Sequence, residues 1–308
     1  MRGDYEAARN CAAIGRQTRM HIEAKTLLSL LSRATLTLSL IACADSWADP
    51  GRAQVLKVAP SLARVEARTT SGRYAFGTAV AIAPDRVVTN CHVTREAQAI
   101  FVVKGGLRWD TRAQLPDVDH DLCLLWVPGL DARAAPLATS ADLRIGQRVA
   151  AIGYGGVTGI QVSIGDVTSL HALDDGRVIR SSAAFSGGAS GGGLFDEDGR
   201  LVGILSFRLP AKGAYFFSIP VEWLRERALG LSRYRPVAPL GEARSFWERP
   251  QTEQPYFMRA TSLEAAQNWP ELLRLTDVWV EAEPGNPDSQ EFRDKALNAP
   301  VKENRELQ

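Results

Sequence analysis

A chain of 308 residues is long enough for one or two domains with a substantial core. Its 36 Lys and Arg against 35 Asp and Glu leave a net charge of +1, which argues against a nucleic acid or other polyanion recruited by bulk electrostatics. Hydrophobic residues make up 45% of the chain, too many for a disordered protein.

The first segment reads as targeting rather than fold. "KTLLSLLSRATLTLSLIACADSWADP" (25–50) is apolar behind Lys25 and interrupted by Arg33. The apolar run beyond Arg33 is about ten residues, too short for a bilayer span and suited to a secretory signal. Met20, just before it, is a candidate translation start. "SWA" (46–48) is a small-x-small cleavage site, while "LIAC" (40–43) resembles a lipoprotein box that would make Cys43 a lipid anchor. The two exclude each other and simple cleavage is favoured. Either way the expectation is an exported chain, periplasmic or secreted, with residues 1–48 as extension and signal. Export leaves Cys91 and Cys123 as an even pair in an oxidising compartment.

From about residue 54 to 220 the chain reads as short strands with turn punctuation. "GTAVAIAPDRVVTN" (77–90) is two runs joined at Pro84–Asp85. "LHALDDGRVIR" and "LFDEDGRLVGIL" place Asp-Gly between apolar runs, a hairpin signal. "VAAIGYGG" and "GIQVSIGDVTSL" add two more strands, and a helix is expected in "PVEWLRERALG" (220–230). This spacing implies an all-β sandwich or barrels rather than a parallel α/β sheet. "GYGGVTG" (153–159) lacks the helix and acid of a nucleotide loop and reads as a strand end and turn.

The composition then changes. "SRYRPVAPLGEARSFWERPQTEQP" (232–255) is rich in Pro and Arg and reads as a linker or wrapping arm, assigned to 232–256. Helices are expected in "TSLEAAQNW", "PELLRLTDVWVEAE" and "DSQEFRDKAL", within a small segment at 257–308. Leu272, Leu273, Leu275, Val278 and Val280 supply an apolar face. This helical hairpin and part of another is similar to a tetratricopeptide unit. So short an array is expected to dock on the β domain or to be completed by a protein partner.

Of the four histidines, His21 lies in the targeting region, and His171 and His120 read as surface or solvated residues. His92 follows an apolar strand in "VVTNCHV". Asp121 precedes another in "DVDHDLCLLWV" (117–127), and Ser190 lies in "FSGGASGGGLF" (185–195). A serine hydroxyl needs a base to become a nucleophile, and an imidazole serves when a carboxylate fixes its tautomer. Glycines around the serine let backbone N–H groups approach a carbonyl without obstruction. Gly188 and Ser190 are the candidate oxyanion donors. His and Cys do not cluster as metal ligands, and the chemistry needs no cofactor.

These three motifs, in this order, resemble those of the trypsin-like serine proteases, especially bacterial exported members. The resemblance covers roughly residues 54–230, within a domain drawn at 49–231. It implies two antiparallel six-stranded β-barrels, a protein or peptide substrate, and an acyl-enzyme route. His92 would be the base, Asp121 the orienter and Ser190 the nucleophile, with Asp119 the runner-up acid. By the same resemblance Ala184 lies at the base of the specificity pocket, with Ser206, Phe207, Arg208, Tyr215 and Phe216 at its walls. Without an acid at the base, a small or medium apolar residue is expected before the scissile bond. Ala189 stands where members activated by cleavage have Asp, and Gly193 where the family has Pro. The oxyanion loop must then be held by other contacts, and a poorly formed resting oxyanion hole is expected. Cys91 and Cys123 flank the dyad, either as a disulfide or as two buried thiols. The competing expectation is a protease-fold binding module, weakly active or inactive, that recruits a partner through its C-terminal helices.

Overall fold

The computed structural model describes residues 50–155, 159–209, 215–225 and 230–299. The targeting segment, with His21 and Cys43, lies outside the described residues. So do the middle of "GYGGVTG" and the second half of the 220–230 helix. No helix among the described residues is long and apolar enough to cross a membrane.

A short helix, α1 (Pro50–Val58), leads into the β structure. The first half is an eight-stranded antiparallel sheet. It contains β1 (Leu62–Thr69), β2 (Tyr74–Ala83), β3 (Arg86–Thr89), β4 (Ala97–Lys104), β5 (Leu107–Asp110), β6 (Ala113–Asp117) and β7 (Leu122–Trp126). The one-turn helix α2 (Cys91–Thr94) follows β3. The second half is a closed six-stranded barrel. It is made of β8 (Arg148–Tyr154), β9 (Ile160–Leu173), β10 (Gly176–Ser181), β11 (Gly193–Phe195), β12 (Leu201–Leu209) and β13 (Tyr215–Pro220). The short helix α3 (Glu222–Arg225) closes this half.

The expectation of two closed barrels is corrected. The first sheet runs β14-β6-β7-β3-β2-β1-β4-β5 and remains open. Its β6 edge pairs with β14 (Arg235–Pro236), which comes from the arm, so that edge is covered by a later segment. The arm continues along β6, where Gln114 Nε2 donates to the Ala238 carbonyl.

Local sequence explains the turns. Leu173 pairs with Gly176, so the β9–β10 turn is Asp174–Asp175, one residue before the expected Asp-Gly, with Asp174 at φ +49°. Aspartate tolerates this left-handed conformation better than most residues. In "DEDG" the Gly199 N–H donates to the Asp196 carbonyl. Strands β3 and β7 pair Thr89 with Cys123, bringing the ends of these strands beside each other. Leu122, Cys123, Leu124 and Leu125 are all fully buried, as a near-continuous apolar run in a central strand requires. One core extends through both halves, with Leu62, Val80, Leu122, Ile152, Phe195 and Ile204 among its members.

Three helices end the described chain: α4 (Tyr256–Ala265), α5 (Trp269–Ala282) and α6 (Pro287–Leu297). Asn268 and Asn286 cap α5 and α6 through their side chains, each with Pro in the first turn. On α5 the buried face is Leu272, Leu275, Thr276 and Trp279, a helical i, i+3, i+4, i+7 stripe. Val278, expected inward, is exposed because the stripe centres on Trp279 instead. The helices dock on the second barrel. His171 Nδ1 lies 3.0 Å from Asp288 Oδ2 of α6, and its ring stacks on Phe257 and Phe292. His171 is therefore a buried docking residue rather than a surface one, because the helices cover the outer face of β9. Arg180 reinforces the dock with an ion pair to Glu264.

Candidate active site

Asp121 lies at the start of β7 with φ +59°. Its carboxylate is completely buried and accepts four hydrogen bonds. Oδ1 takes the His92 backbone N–H at 2.9 Å. Oδ2 takes His92 Nδ1 at 2.8 Å, Ser206 Oγ at 2.6 Å and the Trp247 indole N–H at 3.3 Å. The Asp121 carbonyl also accepts from the Cys91 N–H and from Asn90 Nδ2. Asp121 thus satisfies the free N–H groups that open α2 and, through the same side chain, orients the imidazole. A buried carboxylate is tolerated only with such a set of donors.

Cys91 and Cys123 form a disulfide with Cα atoms 4.9 Å apart. It joins the residue before His92 to the strand that begins at Asp121. Asp119 is remote from the imidazole: its carboxylate pairs with Arg249 and is half exposed. His120 is bridged between Asp117 and Asp174, at 2.7 and 2.8 Å, with its ring 4.0 Å from Trp223. The expectation of a solvated His120 is corrected, since it ties the β6–β7 turn to the β9–β10 turn.

Ser190 is carried by the glycine loop between β10 and β11. Its Oγ makes a long hydrogen bond, 3.5 Å, to the Ser206 carbonyl. The loop is strapped to β2 by Thr78, whose N–H donates to Ser190 O and whose Oγ1 donates to Gly188 O, both at 2.8 Å. These bonds supply the support that Ala189 does not. The N–H groups of Ala189, Gly191 and Gly192 are held by backbone carbonyls, whereas those of Gly188 and Ser190 have no backbone acceptor among the described residues. Gly188 lies at φ +92°.

The glycines have a second cause beyond access. A Cβ on Gly191 would lie 2.1 Å from the Thr78 carbonyl oxygen, and one on Gly192 would lie 2.6 Å from that of Ile152. Close packing of the loop against β2 and β8 demands them.

The residues expected to form one specificity pocket are divided. Ala184 lines a cavity of about 70 Å³ with Phe185, Ala189 and Leu205. Phe216 meets Phe185 with ring centroids 5.3 Å apart. Ser206 faces Asp121 instead of the pocket, and Phe207 stacks on Phe217 and Trp247. Arg208 is exposed. Tyr215 lies under the Arg180 guanidinium, on the face that meets the C-terminal helices. Alternation along β13 separates its two members: Phe216 points one way, Tyr215 and Phe217 the other.

Two residues of the site were not anticipated. Thr78 follows Gly77 in the histidine motif, and its hydroxyl gave no signal before the loop was seen beside it. Trp247 comes from the arm, in "SFWERP". Two adjacent aromatics in a polar, Pro-rich stretch were the available clue. The arm is fixed here by the forked Arg95–Glu248 pair. Burial works to raise the Glu248 carboxyl, and hydrogen bonds from Arg95 and Ser245 outweigh it, so it is held below its ordinary value. Among the described residues no group of His, Cys, Asp and Glu is arranged to hold a metal ion.

Residues 77–204 match the family model described as "Trypsin-like peptidase domain". Protease Do-like 1, chloroplastic, from Arabidopsis thaliana is 34% identical over 152 residues, covering 44% of this chain and 34% of its own length. Periplasmic serine endoprotease DegP from Escherichia coli K12 is 30% identical over 175 residues, covering 53% and 37%. The matches thus span about a third of the length of these relatives. Among solved structures, HtrA-type protease AlgW with tripeptide aligns with a TM-score of 0.52 at 27% identity, over 56% of this chain and 60% of the other. A protease from M. tuberculosis in its active form aligns at 0.56 and 21% identity, over 61% and 89%, a likeness of fold.

Proposed function

From a chain whose residues 77–204 match a trypsin-like peptidase domain and are similar to HtrA-type serine proteases, we propose a serine endopeptidase. The observation that carries the reading is the His92–Asp121 pair. A fully buried carboxylate holds the imidazole through Nδ1, which leaves Nε2 as the proton acceptor. Ser190 is the nucleophile. His92 takes its proton as Ser190 Oγ attacks the peptide carbonyl, and returns that proton to the departing amine. Water then enters by the same base and releases the acyl group. The N–H groups of Gly188 and Ser190 stabilise the oxyanion of each tetrahedral intermediate. Ser190 Oγ donates to the Ser206 carbonyl at 3.5 Å, a weak bond that the hydroxyl exchanges for His92 Nε2 before attack.

The residue before the scissile bond is small or medium and apolar. The Phe185–Phe216 contact supports this by occupying space beside Ala184. Export belongs to the same reading, and the Cys91–Cys123 disulfide is the chemistry of an oxidising compartment.

The test is a fluorophosphonate probe and unfolded casein applied to the full chain, beside Ser190→Ala and Ser206→Ala. Labelling and cleavage are expected to vanish in Ser190→Ala. In Ser206→Ala both should persist, slowed about tenfold by loss of one hydrogen bond to a charged group. Labelling that survives Ser190→Ala and vanishes in Ser206→Ala would reassign the nucleophile. Labelling without casein cleavage would favour a small-ester substrate, and a folded chain that does neither would favour the binding module.

A further inference from the structure

The arm of residues 232–256 passes through the candidate active site. Its Trp247 touches three of that site's parts. The indole N–H lies 3.3 Å from Asp121 Oδ2. The ring stands edge-on to His92, centroids 5.5 Å apart at 89°. It also stacks on Phe207 at 5.1 Å and 11°.

This placement is built rather than incidental. Before Trp247, the Phe246 N–H donates to the Asp119 carbonyl and the Phe246 ring is buried edge-on against Phe207. After it, Glu248 forks onto Arg95 and Arg249 pairs with Asp119. Gln254 Nε2 then donates to the carbonyls of Trp247 and Arg249, at 3.0 and 2.9 Å. The indole is held from both sides in the chain, by the stack of one face on Phe207 and by its N–H.

We infer that Trp247 is a positioning residue for the dyad and a specificity-determining wall of the substrate cleft. The inference rests on the endopeptidase reading above. Beyond Leu205, which pairs with the Gly192 carbonyl, residues 206–209 of β12 run past Ser190 with β13 on one side. An extended substrate adds to the other side as a strand, with its scissile carbonyl at Ser190. The next residue on its acyl side, P2, then meets the imidazole of His92 and the indole of Trp247, which the buried Phe207 ring backs. Two rings against one side chain leave room for Gly, Ala or Ser and exclude Leu or Phe. The same indole supplies the third donor on Asp121 Oδ2, beside His92 Nδ1 and Ser206 Oγ. It therefore shares the carboxylate charge and fixes the plane in which the imidazole is held.

Two variants of the full chain separate these actions. Trp247→Ala opens the wall. Its kcat/KM for a peptide with Leu at P2, relative to the same peptide with Ala, should rise at least tenfold over the wild type. Trp247→Phe keeps a ring against Phe207 and removes the N–H. Its P2 preference should stay, while fluorophosphonate labelling of Ser190 slows about three- to tenfold. In Trp247→Phe the NMR signal of the His92 Nδ1 proton should move further to low field, because Oδ2 then serves fewer donors. Urea unfolding of each variant checks that the fold is retained. An unchanged P2 ratio in Trp247→Ala, or an unmoved His92 proton in Trp247→Phe, overturns the inference. If the wild type neither cleaves nor labels, the endopeptidase reading fails and the His92 proton alone decides: moved, it supports the positioning role; unmoved, it refutes it.

Discussion

Reducing the Cys91–Cys123 disulfide releases a loop of 32 residues that carries both His92 and Asp121. Chain entropy sets the size of the effect. For a loop of that length the lost constraint on the unfolded chain amounts to about 4 kcal/mol. For a domain of this size each kcal/mol shifts the melting point by roughly 2–4 °C, so reduction should lower it by about 10 °C. Activity should respond far less. The His92 N–H, the Cys91 N–H and Asn90 Nδ2 all bind Asp121 independently of the sulfurs. The assay is urea and thermal unfolding with and without a phosphine reductant, with Ser190 labelling measured at 25 °C in both states. Oxidised and reduced chains of equal stability would refute the reasoning. So would a wild type whose two cysteines alkylate without prior reduction. A loss of labelling as large as the loss of stability would show instead that the sulfurs, not the hydrogen bonds, hold the dyad.

The docked helices are held in part by the buried His171–Asp288 contact, and Asp288→Ala should cost about 2–3 kcal/mol. It leaves the His171 ring without its acceptor and removes an acid from the first turn of α6. Asp288→Asn, which keeps an acceptor, should cost less, and equal unfolding midpoints for the two would count against this. Glu248 titrates below its ordinary value, so its contribution is present at neutral pH and is lost as pH falls through and below the usual carboxylate range. Glu248→Gln should flatten that acid limb of the stability curve, and an unchanged limb would assign it to other groups. Gly191→Ala should destabilise by about 3 kcal/mol or more, since φ is +84° and the Cβ meets a backbone oxygen. A soluble, fully stable Gly191→Ala protein would disprove the close packing of the loop on β2.

Much of the protein could be read from the chain alone, where the cause was local. Alternating apolar runs with Asp, Gly and Pro between them specify short antiparallel strands, because side-chain direction repeats every two residues. Pro270 marks the start of α5 for the same kind of reason, a fixed backbone that suits a first turn. The three motifs around His92, Asp121 and Ser190 were visible because each lies at a strand end with its signature in a few adjacent residues. What was hidden depended on contacts between distant segments. His171 looked like a surface residue beside a turn until α6, 117 residues on, covered it. The β6 edge of the open first sheet is covered by an arm more than 100 residues later. Tyr215 and Phe216 were divided by alternation along β13, and Ser206 was drawn to Asp121, 85 positions away. Trp247 reaches Asp121 across 126 positions, and no pattern near either residue encodes that meeting. Strand and turn preferences act over a few bonds. Burial, ion pairing and the shape of the cleft arise only when the folded chain brings remote side chains together.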